Sequence, residues 1–235
     1  MTAVSFVLTA PFHVHQSRPV TRAAERNLKM VSVINSTLRL VPAWLIYLAS
    51  FAYAGWLLWL GISSQLGADP VKVLEHKFGE VALYLLIAGL MVSPLRRVLG
   101  INLLKFRRAI GLACFFFVVC HLMVWAVLDV QRLDRVWADI VKRPYITVGM
   151  AAFLLLVPLA MTSNDLSVRK MGAAAWTRLH KLIYPIAVLG AAHYVMLVKG
   201  WQIRPLVFLG IILALIAWRY VAKIPARTTP TRNAP

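Results

Sequence analysis

Three histidines lie in strongly apolar stretches of the sequence. One stretch contains His121, and another contains His180 and His193, thirteen residues apart. An imidazole is costly to place inside a lipid bilayer and rarely lacks a function there. Neutral imidazole is also a common axial ligand of haem iron, so histidines on separate apolar segments indicate a membrane cytochrome. The alternative for any one of them is a hydrogen bond between helices.

The composition is typical of a polytopic membrane protein. Of 235 residues, 60% are hydrophobic and only 14% are charged. The formal net charge is +18, but the basic residues fall in short clusters between apolar stretches, which indicates membrane topology rather than nucleic-acid binding. The two cysteines, Cys114 and Cys120, share one apolar stretch and are interpreted as small apolar residues rather than as a disulfide or redox pair.

Six apolar stretches are long enough to cross most of a hydrocarbon core of roughly 30 Å. The sequence therefore predicts an all-α integral membrane protein, a six-helix transmembrane bundle. The predicted spans are Ala43–Ile62, Glu80–Leu95, Ala109–Val130, Ile146–Met161, Leu179–Val198 and Pro205–Val221.

The basic residues predict the orientation of the bundle. The N-terminal segment, the second and fourth loops and the C-terminus together contain eighteen Lys and Arg, whereas the other three loops contain eight. The positive-inside rule therefore places both termini in the cytoplasm. We expect a polar, disordered extension over residues 1–40, with Met30 as a hypothetical translation start, a membrane domain over 41–222 and a basic cytoplasmic tail over 223–235.

Depth in the bilayer predicts which histidines can pair. His121 lies about twelve residues into the third span, or roughly 18 Å, and His193 about fourteen residues into the fifth, or roughly 21 Å. Both spans begin on the cytoplasmic side, so the two imidazoles can face each other across a porphyrin in the outer half of the membrane. Ligation by two histidines leaves no open coordination position, which suits electron transfer.

His180 and His76 are further candidates. His180 lies near the cytoplasmic interface, level with Arg107 and Arg108, and has no histidine opposite it. It is a candidate for a flavin or quinone head group or for a more weakly ligated haem. His76 precedes the second span on the other side of the membrane, where an alternative haem pairing or a partner-docking role is open. For both, a solvated or hydrogen-bonded side chain is the competing interpretation.

Two other residues bear on these interpretations. Pro185 lies between His180 and His193 and is expected to distort their helix. Trp125, one turn beyond His121, is expected either to pack on a porphyrin or to belong to an interfacial aromatic belt.

Several segments carry a family resemblance over roughly residues 40–222. They are GADPVKVLEH with Gly79 downstream, SPLRR, RRAIGLACFFFVVCHL, KRPYITVGM and MTSNDLSVRKMGAAAWTRLHKLIYPIAVLGAAHYVMLVKG. This pattern resembles MsrQ (YedZ), the haem-binding membrane subunit family of the bacterial protein-methionine-sulfoxide reductase system, which is itself similar to the ferric-reductase-like transmembrane domain. The resemblance implies b-type haem associated with His121, His180 and His193, with His121 and His193 as the iron ligands, and FMN as a second cofactor.

The resemblance also implies a place in an electron-transfer chain. Electrons would come from the quinone pool or a cytoplasmic flavin reductase, with FMN or quinone held near Arg107, Arg108 and His180. They would leave for a periplasmic molybdopterin-containing subunit that reduces methionine sulfoxide in oxidised proteins. The third span has one histidine where the oxidase relatives have two, so the haem count is one or two.

The expected function is therefore that of an electron-transfer subunit in the bacterial inner membrane, not catalytic on methionine sulfoxide by itself and without a nucleic-acid partner. Two alternatives stay open on the sequence: a membrane transporter whose histidines relay protons or metal ions, and a self-sufficient metalloreductase. Inverted repeats in the sequence would favour a transporter, and none is evident.

Overall fold

The computed structural model describes residues 22–198 and 202–221, and that part of the chain is helical, with no β-strand. It has ten α-helices joined by short turns. Their bounds are α1 Arg22–Leu40, α2 Trp44–Ile62, α3 Pro70–Val98, α4 Arg107–Met123, α5 Leu133–Lys142, α6 Pro144–Met161, α7 Asp165–Met171, α8 Ala173–Leu179, α9 Ile183–Leu197 and α10 Ile203–Val221.

Within the described residues, five helical segments are long and apolar enough to cross a membrane. They are Trp44–Ile62, Pro70–Val98, Leu104–Val130, Pro144–Met161 and Ile203–Val221. The expected span over Leu179–Val198 is divided among the end of α8, a 3₁₀ turn at His180–Leu182, and α9, which has 15 residues. Many large apolar side chains are exposed on α2 and α10, including Trp44, Phe51, Trp56, Ile203 and Leu213, as expected where lipid covers the surface.

The helix α3 begins ten residues before the predicted start of its span. Asp69 caps it by accepting a 3.1 Å hydrogen bond from the main-chain N–H of Lys72, and Pro70 occupies the first turn, where a missing N–H costs nothing. His76 therefore lies within α3 and does not precede it. The sequence prediction placed the start at Glu80 because the charged residues of the first turns lower the local hydropathy.

The core of the bundle forms where α3 and α4 pack together and where α9 and α10 close over them. Phe78 of α3 and Phe117 of α4 are buried with ring centroids 6.1 Å apart. Ala187 and Ala191 of α9 are fully buried, so small side chains permit the close approach of this helix to its neighbours. α9 also packs against α6.

A proline inside α3 creates a site for an arginine from α10. Pro94 has no N–H, so the carbonyl oxygen of Leu90 has no helical donor. Arg219 donates to that oxygen through Nη2 at 2.9 Å and to the Tyr184 hydroxyl through Nη1 at 2.8 Å. The arginine therefore links α10 to α3 and α9 where the helical hydrogen bonding is interrupted.

The segment expected to be a disordered extension is helical from Arg22 to Leu40, whereas residues 1–21 lie outside the described residues. Asn35 binds α1 to the turn after α3: its amide donates to the carbonyl of Gly100 at 3.0 Å and accepts from the N–H of Asn102 at 2.8 Å. These long-range contacts give the polar segment a partner that composition could not reveal. The C-terminal tail, 223–235, also lies outside the described residues.

Candidate functional site

His121 is held by α3, the helix next to its own. Its Nδ1 lies 2.8 Å from the main-chain oxygen of Glu75. Because a carbonyl oxygen only accepts, Nδ1 is the protonated nitrogen and Nε2 keeps its lone pair. Gly79 provides the space for the ring, since a Cβ there would lie 3.1 Å from Nδ1. The imidazole thus has a fixed orientation and one unprotonated ring nitrogen, the two properties that a metal ligand needs.

His193 is held in the same way by α6. Its Nδ1 lies 2.7 Å from the main-chain oxygen of Tyr145, and a Cβ on Gly149 would lie 2.8 Å from Nδ1. A histidine that binds a metal through one ring nitrogen usually donates the other N–H to a carbonyl or carboxylate, which fixes its orientation. Both rings meet that condition.

The carbonyl and the glycine that contact each histidine have the same spacing on α3 and on α6. The accepting carbonyl lies four residues before the glycine in each case, at Glu75 and Gly79 on α3 and at Tyr145 and Gly149 on α6. Residues four apart lie on one helix face, so each helix offers a carbonyl oxygen, through its second lone pair, and a gap for one imidazole. Sequence analysis gave these glycines no role, although both lie in the segments that carried the resemblance.

The two imidazoles face each other inside the bundle. Their ring centroids are 6.2 Å apart and their planes are inclined by 79°. With metal–nitrogen bonds of about 2 Å, two imidazoles on opposite sides of one metal ion have centroids roughly 6 Å apart. The described residues contain no cluster of three His, Cys, Asp or Glu side chains able to hold a metal ion. The pair therefore suits a metal whose remaining ligands belong to a cofactor, as in haem.

A cavity of about 770 Å³ extends around the two rings. This volume lies in the range of about 300–1,000 Å³ that cofactor pockets usually occupy. Its walls are mostly apolar and include Leu86, Leu156 and Ile186. The fit to a flat, largely apolar cofactor is therefore good in both volume and chemistry.

A π-helical segment, Val124–Val130, continues α4 directly beyond His121. It rotates the chain relative to an α-helix and places Trp125 inside the protein, where the side chain is buried and lines the cavity. Trp125 is therefore not a belt residue at the protein surface. Single π-turns occur often at functional sites.

Charged side chains surround one end of the cavity. Lys72 lies between two carboxylates, 2.6 Å from Asp129 and 3.4 Å from Glu75, and Arg204 pairs with Glu80. All five residues line the cavity. His76 also lines this charged end but is exposed, and it is not one of the two imidazoles that face each other.

The structure places His180 in a separate cluster. Its Nε2 lies 3.1 Å from the hydroxyl oxygen of Thr162, and its ring stacks on Trp176 with centroids 3.8 Å apart. Trp176 in turn donates from Nε1 to the carbonyl of Thr162 at 2.8 Å. His180 does not line the cavity around His121. The 3₁₀ turn that begins at His180, just before Pro185, separates it from the helix of His193.

The two arginines expected beside His180 have different surroundings. Arg107 lies within electrostatic reach of His180, whereas Arg108 donates from Nη2 to Asp165 of α7 at 2.6 Å. The Arg108 guanidinium holds the pKa of the Asp165 carboxyl below its usual range. Arg107 thus remains close to His180, and Arg108 is engaged in an ion pair at the surface.

Comparison with known proteins adds a family match and matches to individual relatives. Residues 78–191 match the family described as ferric reductase like transmembrane component. The chain is 46% identical over 179 residues to the protein-methionine-sulfoxide reductase heme-binding subunit MsrQ of Brucella anthropi, which covers 76% of this chain and 81% of that protein. The protein of the same name from Brucella ovis is 48% identical over 178 residues, 75% of this chain and 80% of that protein. No solved structure matches the chain.

Proposed function

Since the chain belongs to the MsrQ family of heme-binding subunits of protein-methionine-sulfoxide reductases, we propose that it is a haem b membrane cytochrome. In this proposal it carries electrons across the bacterial inner membrane to a periplasmic molybdopterin-containing subunit. That subunit repairs methionine sulfoxide in oxidised periplasmic proteins. The chain itself is an electron-transfer subunit and is not catalytic on methionine sulfoxide.

The observation that carries the proposal is the pair His121 and His193. Both rings line one cavity, both are held through Nδ1 by main-chain carbonyls, and their centroids are 6.2 Å apart. Haem iron bound between them would exchange single electrons without an open coordination position for oxygen. The main-chain oxygens of Glu75 and Tyr145 fix the orientation of the two rings, and the cavity walls around them are mostly apolar.

A second cofactor belongs to the other end of the bundle in this proposal. His180 has Arg107 nearby and no histidine opposite, so one haem at His121 and His193 is the minimum, and FMN or quinone would bind near His180 and Arg107. A cationic guanidinium suits the phosphate of FMN. Arg108 contributes less directly, because it is paired with Asp165.

The proposed topology has six spans with both termini in the cytoplasm. Support for α9 as the sixth span is its packing against α3, α6 and α10, each of which is long and apolar enough to cross. Support for the orientation is the excess of Lys and Arg at the ends that the positive-inside rule assigns to the cytoplasm. His180 then lies toward the electron donor, a quinol or cytoplasmic flavin reductase, and the charged end of the cavity faces the acceptor.

Haem and flavin quantitation on the detergent-purified protein tests this proposal. The wild type should show a reducible b-type spectrum, His121→Ala and His193→Ala should abolish haem retention, and His180→Ala should weaken or shift it. His76→Ala is the matched control near the same cavity, because that side chain is exposed. Full haem content in both of the first two variants would refute the pairing, and a wild type without a Soret band would refute the cytochrome.

Reduction assays separate the electron donors and the remaining alternatives. Reduction of the bound haem should require an added quinol or a flavin reductase, because the chain has no nicotinamide-binding fingerprint. Rapid reduction by a nicotinamide cofactor with this chain alone would instead indicate a self-sufficient metalloreductase.

A further inference from the structure

The short helix α5 is tied to the membrane at both of its ends. Only two residues separate the end of the membrane-spanning segment Leu104–Val130 from Leu133, and only Arg143 separates the end of α5 from the span Pro144–Met161. A ten-residue helix is about 15 Å long. With such short connections on both sides, α5 cannot leave the membrane surface.

One face of α5 is apolar and uncovered by the rest of the chain. Leu133, Trp137 and Val141 are 87%, 70% and 66% exposed. They are spaced by four residues, and at about 100° per residue they form one stripe within an arc of roughly 80°. No residue of α5 is buried.

The neighbouring edge of the helix contacts the protein. Val136 and Ile140 are half-buried, and the hydroxyl of Thr147 on α6 donates to the carbonyl of Ile140 at 2.5 Å. This contact sets the rotation of α5, so the exposed stripe has a fixed direction relative to the bundle.

The opposite face is charged and carries a positive excess. Asp134 pairs with Arg132, and Asp139 pairs with Arg143. Arg135 and Lys142 are exposed, lie roughly opposite the stripe, and form no ion pair within residues 22–198 and 202–221. Two such cations suit the phosphates of lipid headgroups.

We propose that α5 is an interfacial helix whose stripe of Leu133, Trp137 and Val141 is immersed in lipid at the boundary between headgroups and acyl chains. Amphipathic helices with this division of faces lie in the membrane plane with their apolar side about 5–10 Å into that boundary, and tryptophan prefers the same depth. The short connections to both spans keep the stripe within reach of the lipid boundary, whereas a soluble partner would need it to face water.

The helix α5 is close in sequence to residues of the candidate site. Tyr145, whose carbonyl orients His193, is only three residues from the end of α5. Asp129 and Arg143, on either side of α5, line the charged end of the cavity. The lipid contact of α5 therefore fixes the membrane depth of this end of the site, and it does so whether or not the proposed electron-transfer function holds.

Spin-label accessibility in the full-length protein tests the proposal. Single cysteines replace Leu133, Val141 and, as the matched control on the charged face, Arg135, in a background in which Cys114 and Cys120 are alanine. The labelled proteins are placed in nanodiscs of phosphatidylethanolamine and phosphatidylglycerol. Labels at 133 and 141 should collide several-fold more with oxygen, which partitions into lipid, than with a water-soluble nickel chelate, and the label at 135 should show the reverse.

Two results would overturn the lipid assignment. Equal nickel access at 133, 135 and 141 would mean that the stripe faces water and is open to a soluble protein. Protection of 133 and 141 from both reagents would mean that protein covers the stripe. Because all three native side chains are exposed, their replacement removes no internal packing, and circular dichroism of each variant verifies its fold.

Discussion

Gly149 lies directly against the imidazole of His193. A Cβ at that position would come within 2.8 Å of Nδ1, a separation that real Cβ atoms essentially never show. The ring cannot move aside freely, because the same Nδ1 forms a 2.7 Å hydrogen bond with the carbonyl oxygen of Tyr145. The corresponding contact between Gly79 and His121 is looser, at 3.1 Å.

This geometry predicts that Gly149→Ala displaces the His193 ring and weakens haem retention. Loss of an interaction that orients a metal ligand typically costs about 10- to 100-fold in metal affinity, and we expect an effect of that order. Gly79→Ala should also weaken haem retention, but by a smaller factor. The measurement is the haem-to-protein ratio after purification, together with the midpoint potential of the haem that remains.

Gly111→Ala is the matched control for both substitutions. Gly111 lies on α4, the helix of His121, and a Cβ there meets nothing within 4 Å. Its haem content should equal that of the wild type. Equal haem loss in Gly111→Ala and Gly149→Ala would show that the effect does not come from the contact with the imidazole.

Arg219 and Pro94 should be energetically coupled. Arg219→Met leaves the Leu90 carbonyl without a donor, which should lower the free energy of unfolding by about 1–3 kcal/mol. With Pro94→Ala, the new N–H at position 94 can donate to Leu90, so Arg219→Met should then cost less. Thermal unfolding in detergent of the two single variants and the double variant measures this coupling. Strictly additive effects would contradict the proposed role of Arg219.

The ion pair between Arg108 and Asp165 should give a pH-dependent contribution to stability. Because the Arg108 guanidinium lowers the pKa of Asp165, this contribution is present above the ordinary carboxyl pKa of about 3.9 and is lost as the pH falls through the lower folded value. Asp165→Asn should therefore lower the melting temperature at pH 6 and have no effect at acid pH, below the folded pKa. High salt should reduce the difference at pH 6, since both side chains are substantially exposed.

Thr162→Val tests whether His180 acts apart from the His121 and His193 pair. The substitution removes the hydroxyl that lies 3.1 Å from Nε2 of His180 but touches neither carbonyl that supports the pair. Haem held by His121 and His193 should remain at wild-type content, whereas a cofactor near His180 should shift in potential or occupancy. Haem loss as complete as that of His193→Ala would contradict two separate sites.

Hydropathy and helix rise alone predicted a good part of this arrangement. Five of the six expected spans correspond to helices long and apolar enough to cross a membrane. The arithmetic of depth also paired His121 with His193, whose rings the structure brings to 6.2 Å. Both inferences depend on periodic, local quantities that a sequence contains explicitly: apolar length and distance along a helix.

The features that sequence analysis missed depend on contacts between distant residues. The carbonyls of Glu75 and Tyr145 meet histidines 46 and 48 residues later in the chain, and no local pattern encodes that register. Asn35 of α1 also makes its hydrogen bonds with the turn after α3, more than 60 residues later in the chain. The π-helical turn that buries Trp125 has no recognised composition signal either.

The main-chain anchors of the two histidines have a consequence for how this site can vary. A hydrogen bond to a carbonyl oxygen survives any side-chain replacement at Glu75 or Tyr145 that keeps the helix intact. Charge at these two positions can therefore change without turning either imidazole. Ring orientation and local electrostatic potential are separable properties here, so mutation could adjust the redox potential of a haem held by the two histidines without turning their rings.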